Sequence, residues 1–229
     1  EKLRELQEVF DQQARTYGIY PMRDPASPRH GDFAVPHVLD GIRKMTYTTA
    51  HKRMPESSVL NLKNCSYRIT ADIETSLGAQ GVIVCQGGNM AGWSLYFTPE
   101  TVPVFHYNWY GHVHTSVAAK QSLAAGKHTV EVDFDYDGGF GAGGLLSLLV
   151  DGETVAMGRI ENTVPLVFSM SGETFDVGVD TGSPVGPYPH QFDCTATIKG
   201  VTLEQLDERT AETEKLVRQG MFAASLSSQ

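Results

Sequence analysis

The sequence predicts a mainly β protein: a two-layer antiparallel sandwich with a helix at each end. Three observations carry that expectation. Apolar and polar residues alternate with period two from about residue 44 to 202, Gly-rich turn signals punctuate the alternation, and no helical pattern is interleaved to make the crossovers of a parallel sheet. At 229 residues and 25.0 kDa the chain has room for one large sandwich with a substantial core.

Residues 1–41 open the chain as an amphipathic helix followed by a proline-rich arm. Leu3, Leu6, Phe10, Ala14 and Tyr17 recur three or four apart among charged residues, the spacing of one helix face. Gly18 ends the helix, and Pro21, Pro25, Pro28 and Pro36 keep the next stretch extended, since proline lacks a donor and discourages helix in the residue before it. In an isolated chain the apolar stripe invites a second copy, so a homo-oligomer is expected.

Residues 42–202 carry the sandwich. Cys65, Tyr67, Ile69, Ala71 and Ile73 alternate with Ser66, Arg68, Thr70, Asp72 and Glu74, which places the two sets on opposite faces of a pleated strand. Further strands are predicted over 81–86, 93–98, 102–109, 112–118, 128–136, 145–150, 154–160, 175–179 and 192–201. Gly87-Gly88, the run from Asp137 to Gly144, and Asp151-Gly152 supply turns, the last a two-residue hairpin loop. Residues 203–229 return to helical spacing through Leu203, Leu206, Leu216, Val217 and Met221 and then a tail.

A net charge of -9, with 18 Lys and Arg against 27 Asp and Glu, excludes a nucleic-acid partner, which needs a basic stripe. No apolar run is long enough for a membrane helix, so no membrane partner is expected. Three cysteines without metal spacing favour a reducing compartment, cytoplasmic rather than periplasmic. Asn64-Cys65-Ser66 matches a glycosylation acceptor but runs into a strand, and reads as chance.

Several clusters invite chemistry. Glu131, Asp133, Asp135 and Asp137 share one strand face; a cation would relieve their repulsion, yet a solvated outer face accounts for them. His106, His112 and His114 are numerous enough to hold a zinc, but no carboxylate orienter is identifiable and strand or rim histidines are the plainer reading. Among Trp93, Tyr96, Phe97, Phe105, Tyr107, Trp109 and Tyr110, most have the look of a core, whereas Trp109 and Tyr110 fall at a predicted turn suited to stacking on a sugar. The Gly-rich segments do not precede helices and are turns rather than phosphate cradles. No G-x-S-x-G elbow is present.

The segments EKLRELQEVFDQQARTY, PESSVLNLKNCSYRITADIE, GVIVCQGGNMAGWSLYF, HYNWYGH, AGKHTVEVDFDYDGGFGAGG, LLVDGETVAMGRIENTVP and FDVGVDTGSPV, taken in order, resemble the C-terminal part of bacterial arylsulfatases of the formylglycine-dependent sulfatase family. The resemblance implies that residues 1–41 end an α/β sulfatase domain and that residues 42–202 form a concanavalin A-like, jelly-roll sandwich. The parent would be a sulfuric ester hydrolase equipped with formylglycine and calcium. This chain lacks the family's C-x-P-x-R or S-x-P-x-R segment, because Cys65 is followed by Ser66, Tyr67 and Arg68. No catalytic residue, metal ligand or cofactor is therefore expected within it. The implied role is non-catalytic: packing on the sulfatase catalytic domain, shaping substrate access or mediating oligomerisation.

Asp180, in FDVGVDTGSPV, joins Trp109, Tyr110 and His112 as the expected binding or docking edge. The alternative function is an autonomous carbohydrate-binding, lectin-like module. A glycoside hydrolase would need two carboxylates at catalytic separation, for which Glu131 and Asp133 are the candidates.

Overall fold

The computed structural model describes residues 2–19, 39, 41–169 and 172–207. In them the alternation becomes two antiparallel sheets packed face to face. One sheet contains β1 (Lys44–Tyr47), β2 (Tyr67–Thr75), β7 (Gly126–Tyr136), β8 (Ala142–Val150), β9 (Glu153–Asn162) and β11 (Thr197–Gln205), in the order β1-β11-β2-β7-β8-β9. The other contains β3 (Gly81–Gly87), β4 (Gly92–Phe97), β5 (Pro103–Trp109), β6 (Val113–Ala118) and β10 (Phe175–Val177), in the order β10-β3-β4-β5-β6. The first helix, α1 (Lys2–Thr16), belongs to a separate compact unit. Of its apolar stripe, Ala14 is buried while Leu3, Leu6, Phe10 and Tyr17 are exposed.

Two boundaries differ from the sequence reading. The short segment KMTY forms β1 and pairs with β11, Tyr47 opposite Val201. Leu203 continues β11 and is fully buried, so it belongs to the sandwich rather than to a C-terminal helix. Its spacing from Val201 serves a strand face as well as the start of a helix, and pairing with β2 decides the matter. The rest of the expected C-terminal helix, from residue 208 on, lies outside the described residues.

The six-stranded sheet behaves as a half-exposed sheet should. Tyr67, Ile69, Ala71, Ile73, Val130, Val132, Phe134, Leu146 and Leu148 point inward and are buried. Their neighbours point outward and pair across strands: Arg68 grips both oxygens of Asp133 at 2.5 and 2.6 Å, Thr70 reaches Glu131, and Lys44 reaches Glu204. At the end of β7, Asp137 accepts from Arg159. The carboxylate row is thus a solvated face partly neutralised by neighbouring donors.

The five-stranded sheet is different, for β3 and β4 are buried along their whole lengths. Their inner face supplies Ile83, Trp93, Leu95 and Phe97 to the main core, joined there by Phe105 and Tyr107 of β5. Their outer face is covered by a strap, residues 178–194, which adds Val185, Tyr188 and Phe192 to a second small core with Val82, Cys85, Tyr96 and Val104. The rings of Tyr96 and Tyr188 meet at 4.9 Å. Glycine is required where the strap passes closest, since a Cβ on Gly81 would fall 1.9 Å from the Asp193 carbonyl oxygen; farther along, a Cβ on Gly186 would fall 2.8 Å from the Tyr188 ring and 3.2 Å from that of His106.

Asn64 is buried and its amide donates to the Pro165 carbonyl, so in this fold it is a structural residue rather than a sugar acceptor. The two kinds of contact should separate in stability measurements. Leu148→Ala, which empties the main core, is expected to lower unfolding free energy by about 2–5 kcal/mol. Arg68→Ala, which removes a partly exposed pair, should cost no more than about 1 kcal/mol by urea denaturation.

Candidate functional site

The hairpin joining β5 to β6 turns on Tyr110 and Gly111, whose φ angles of 52° and 67° lie in the left-handed region that a tight hairpin loop demands. Asn108 sets this turn. Its side-chain amide donates to the Gly88 and Asn89 carbonyls, both at 3.0 Å, and its oxygen accepts the Gly111 N–H at 2.8 Å. One buried side chain therefore ties the β3–β4 turn to the β5–β6 turn. Trp109 is half-buried and packs against the main core, with the Tyr110 ring edge-on to it at 5.7 Å. Tyr110 remains 38% exposed, and His112 is exposed beside it.

Next to this turn, the outer face of β6 lies beyond the strap and is open. His114 and Ser116 stand exposed on it, and both bond to His106 of β5, which is only 2% exposed. His106 Nδ1 is 2.8 Å from Ser116 Oγ, and His106 Nε2 is 3.0 Å from His114 Nδ1. Burial, and secondarily His114, push the His106 pKa down to about 4. The ring is neutral at physiological pH, with one N–H to give and one bare nitrogen to receive.

The three histidines do not form a zinc triad. His112 does not come within ligand reach of the other two. The rings of His106 and His114 are 5.2 Å apart between centres with their nitrogens 3.0 Å apart, so the nitrogens lie near the line joining the rings. That is a hydrogen-bond arrangement; two imidazoles on one ion bend toward a common point.

Asp180 departs from the expected docking edge. It is 1% exposed, on the underside of the strap, where Oδ2 accepts from the Tyr188 hydroxyl at 2.8 Å and the Val185 N–H at 3.2 Å, and Oδ1 accepts from the Gly182 N–H. Burial raises its pKa, against the pull of those hydrogen bonds. Asp176 is equally committed, accepting from the Arg53 N–H, the Thr181 N–H and the hydroxyls of Thr174 and Thr181. Glu173 holds the Ser183 N–H and hydroxyl. The stretch FDVGVDTGSPV is the anchor of the strap.

A hollow of about 890 Å³ lies elsewhere, lined in part by Arg43, Glu56, Lys63, Glu173 and Asp207. None of its described lining residues is aromatic. Several of its charges are already engaged, Lys63 with Glu56 and Arg43 with the Gln205 carbonyl. Glu131 and Asp133, the candidate hydrolase pair, project from the outer face of the six-stranded sheet, with Asp133 held by Arg68.

No family model matches the sequence, and no curated protein matches it. Solved structures similar in fold include a Ruminococcus gnavus sialidase carbohydrate-binding module bound to α2,3-sialyllactose, 15% identical with a TM-score of 0.43, covering 68% of this chain and 82% of that one. Others are domains LG4-5 of the mouse laminin α1 chain, at 14% identity and a TM-score of 0.46 over 84% and 50% of the two chains, and a Limulus polyphemus pentraxin, at 14% and 0.37 over 65% and 74%. These likenesses are of fold.

The arylsulfatase resemblance is corrected by these findings. No family model and no curated protein ties the sequence to sulfatases. The sulfatase catalytic domain as partner, and a role within a sulfuric ester hydrolase, go with it. The physical reason lies in what the matching segments do here. GVIVCQGGNMAGWSLYF is a doubly buried hairpin and FDVGVDTGSPV an anchored strap, so both carry packing demands rather than family chemistry.

Sequence reasoning groups His106 with His114 but does not name Ser116 as the third member of the row. Its signal was available, because residues two apart on β6 share a face and antiparallel pairing sets His106 opposite Ser116. The burial of His106 has a measurable consequence. Its folded pKa of about 4 lies below the ordinary 6.5, so the unfolded chain binds the proton first as pH falls. The contribution is fully present above about pH 6.5 and is lost toward pH 4, a loss of roughly 3 kcal/mol. Unfolding free energies across that range should show this slope in the native protein and a shallower one in His106→Gln.

Proposed function

We propose that the protein is a carbohydrate-binding, lectin-like module whose ligand lies along the β5–β6 hairpin and the open face of β6. One observation carries the reading: the β5–β6 turn exposes an aromatic ring, Tyr110, and His112, and the strand that leaves it exposes His114 and Ser116, with turn and strand held by the buried Asn108 and His106.

The physical argument is complementarity to a sugar. A pyranose presents an apolar face to a ring and hydroxyls around its edge to hydrogen-bonding groups. Imidazole and hydroxyl groups both give and accept hydrogen bonds, and groups already held in place lose little freedom on binding. The 890 Å³ hollow is a poorer candidate because its described lining offers no ring for stacking.

Calorimetric titration against a glycan panel that includes sialyllactose tests the reading. A saturable ligand is expected, and Tyr110→Ala should weaken it roughly tenfold, about 1.4 kcal/mol. Absence of any glycan ligand, or a ligand whose affinity survives both Tyr110→Ala and His114→Ala, would remove the module from this class.

A further inference from the structure

An edge strand carries N–H and C=O groups that its own sheet leaves unpaired. One sheet of this protein ends in β1 and β9, the other in β10 and β6. Three of these four edges are protected. β10 is three residues long, and its free side is taken by residues 51–54: Met54 and Phe175 exchange both backbone bonds, and the Val177 N–H reaches the His51 carbonyl. β1 is four residues long and begins with Lys44. β9 carries Glu153, Arg159 and Glu161, and its register with β8 skips Val155 between Leu148 and Leu149. Short length, charge and bulges all keep an edge from pairing with another chain.

β6 has none of these devices. Val113–Ala118 reads VHTSVA, without proline, Lys, Arg, Asp or Glu, and its register with β5 is unbroken over six residues. No backbone bond from any described residue reaches its far side. The strand is seated firmly against the other layer, because Val117 packs on Gly158 of β9 so closely that a Cβ there would collide with it. Val113, His114, Ser116 and Ala118 are nevertheless exposed.

The sequence of β6 selects the occupant. Two copies related by a two-fold axis perpendicular to the sheet meet antiparallel, with opposing residues on the same face, so the axis passes through one residue. Placed at Thr115, it sets Thr115 against Thr115, Val113 against Val117, and His114 against Ser116. Each opposing pair is matched: valine with valine and hydroxyl with hydroxyl on the inner face, imidazole with hydroxyl on the outer face. No like charges meet along the strand, which matters in a chain with a net charge of -9. The same register brings Lys120 of one copy level with the Tyr110 ring of the other, a cation facing an aromatic. An arbitrary extended segment has no reason to match at every position, whereas a second copy does.

We propose that two copies of the chain pair edge to edge through β6, antiparallel and centred on Thr115, so that their five-stranded sheets become one continuous sheet. The inference stands on backbone pairing and does not rest on the carbohydrate reading. In the pair, the His114 and Ser116 rows of the two copies lie side by side on one face.

Sedimentation equilibrium of the full chain, with no glycan present, provides the test. The native protein should reach a species of twice 25.0 kDa. Thr115→Lys and Thr115→Asp each set like charges against each other across the axis, and each should weaken self-association at least about tenfold. A one-to-one mixture of the two variants should recover the dimer, because the charges then oppose. Circular dichroism checks that both variants are folded. Should either fail to fold, isotope-filtered nuclear Overhauser contacts in a mixture of labelled and unlabelled native chain decide the matter, with His114 of one copy expected to reach Ser116 of the other. A native chain that stays monomeric at high concentration overturns the proposal. So does a dimer indifferent to both Thr115 charges, as one built on the α1 stripe would be, or a dimer without intermolecular contacts at β6.

Discussion

A strand buried on both faces must have something to cover it on each side, and β3 and β4 are in that position from end to end. One side is served by the opposing sheet. The other is served by the 178–194 strap, and the strap has little regular structure with which to hold itself. Side-chain carboxylates hold it instead. Asp176 and Asp180 collect N–H and O–H groups from their own loop and from Tyr188, while Glu173 collects those of Ser183. Burying these acids is expensive. The donors offset that cost, and the apolar contacts of Val185, Tyr188 and Phe192 complete the seal.

The reach of the strap decides which part of the five-stranded sheet stays open. It covers the sheet as far as His106 on β5 and leaves β6 uncovered. The buried His106 then becomes a support for the exposed His114 and Ser116 rather than a contact residue itself. In the same way the buried Asn108 supports the turn that presents Tyr110. The proposed site is a rim whose outer groups are oriented by inner ones, on strands that the same packing holds in place.

The two-layer antiparallel architecture was legible because period-two alternation has a direct physical meaning on β2 and β7, whose inner residues are apolar and outer residues charged. β1 was missed, since four residues such as KMTY are too short to show a period. The spacing of Leu203 fits a helix or a strand until pairing with β2 is known. Of the expected edge residues, Tyr110 and His112 are exposed at the turn, Trp109 is half-buried, and Asp180 is interior. A glycine-rich stretch with an acidic residue looks like a surface loop in sequence. Nothing local shows that Tyr188, eight residues on, folds back to donate to that carboxylate. The sulfatase resemblance failed for a related reason: the segments that prompted it are those that a covered sandwich sheet and its strap need for packing.

Backbone amide chemical shifts, followed by nuclear magnetic resonance while a bound glycan is titrated in, test the central claim most directly. The largest changes should fall on Tyr110, Gly111, His112, His114 and Ser116, with smaller ones at Asn108 and His106 beneath them. Changes concentrated instead around Arg43, Lys63 and Gln205, at the hollow, with the β5–β6 hairpin unmoved, would contradict the account.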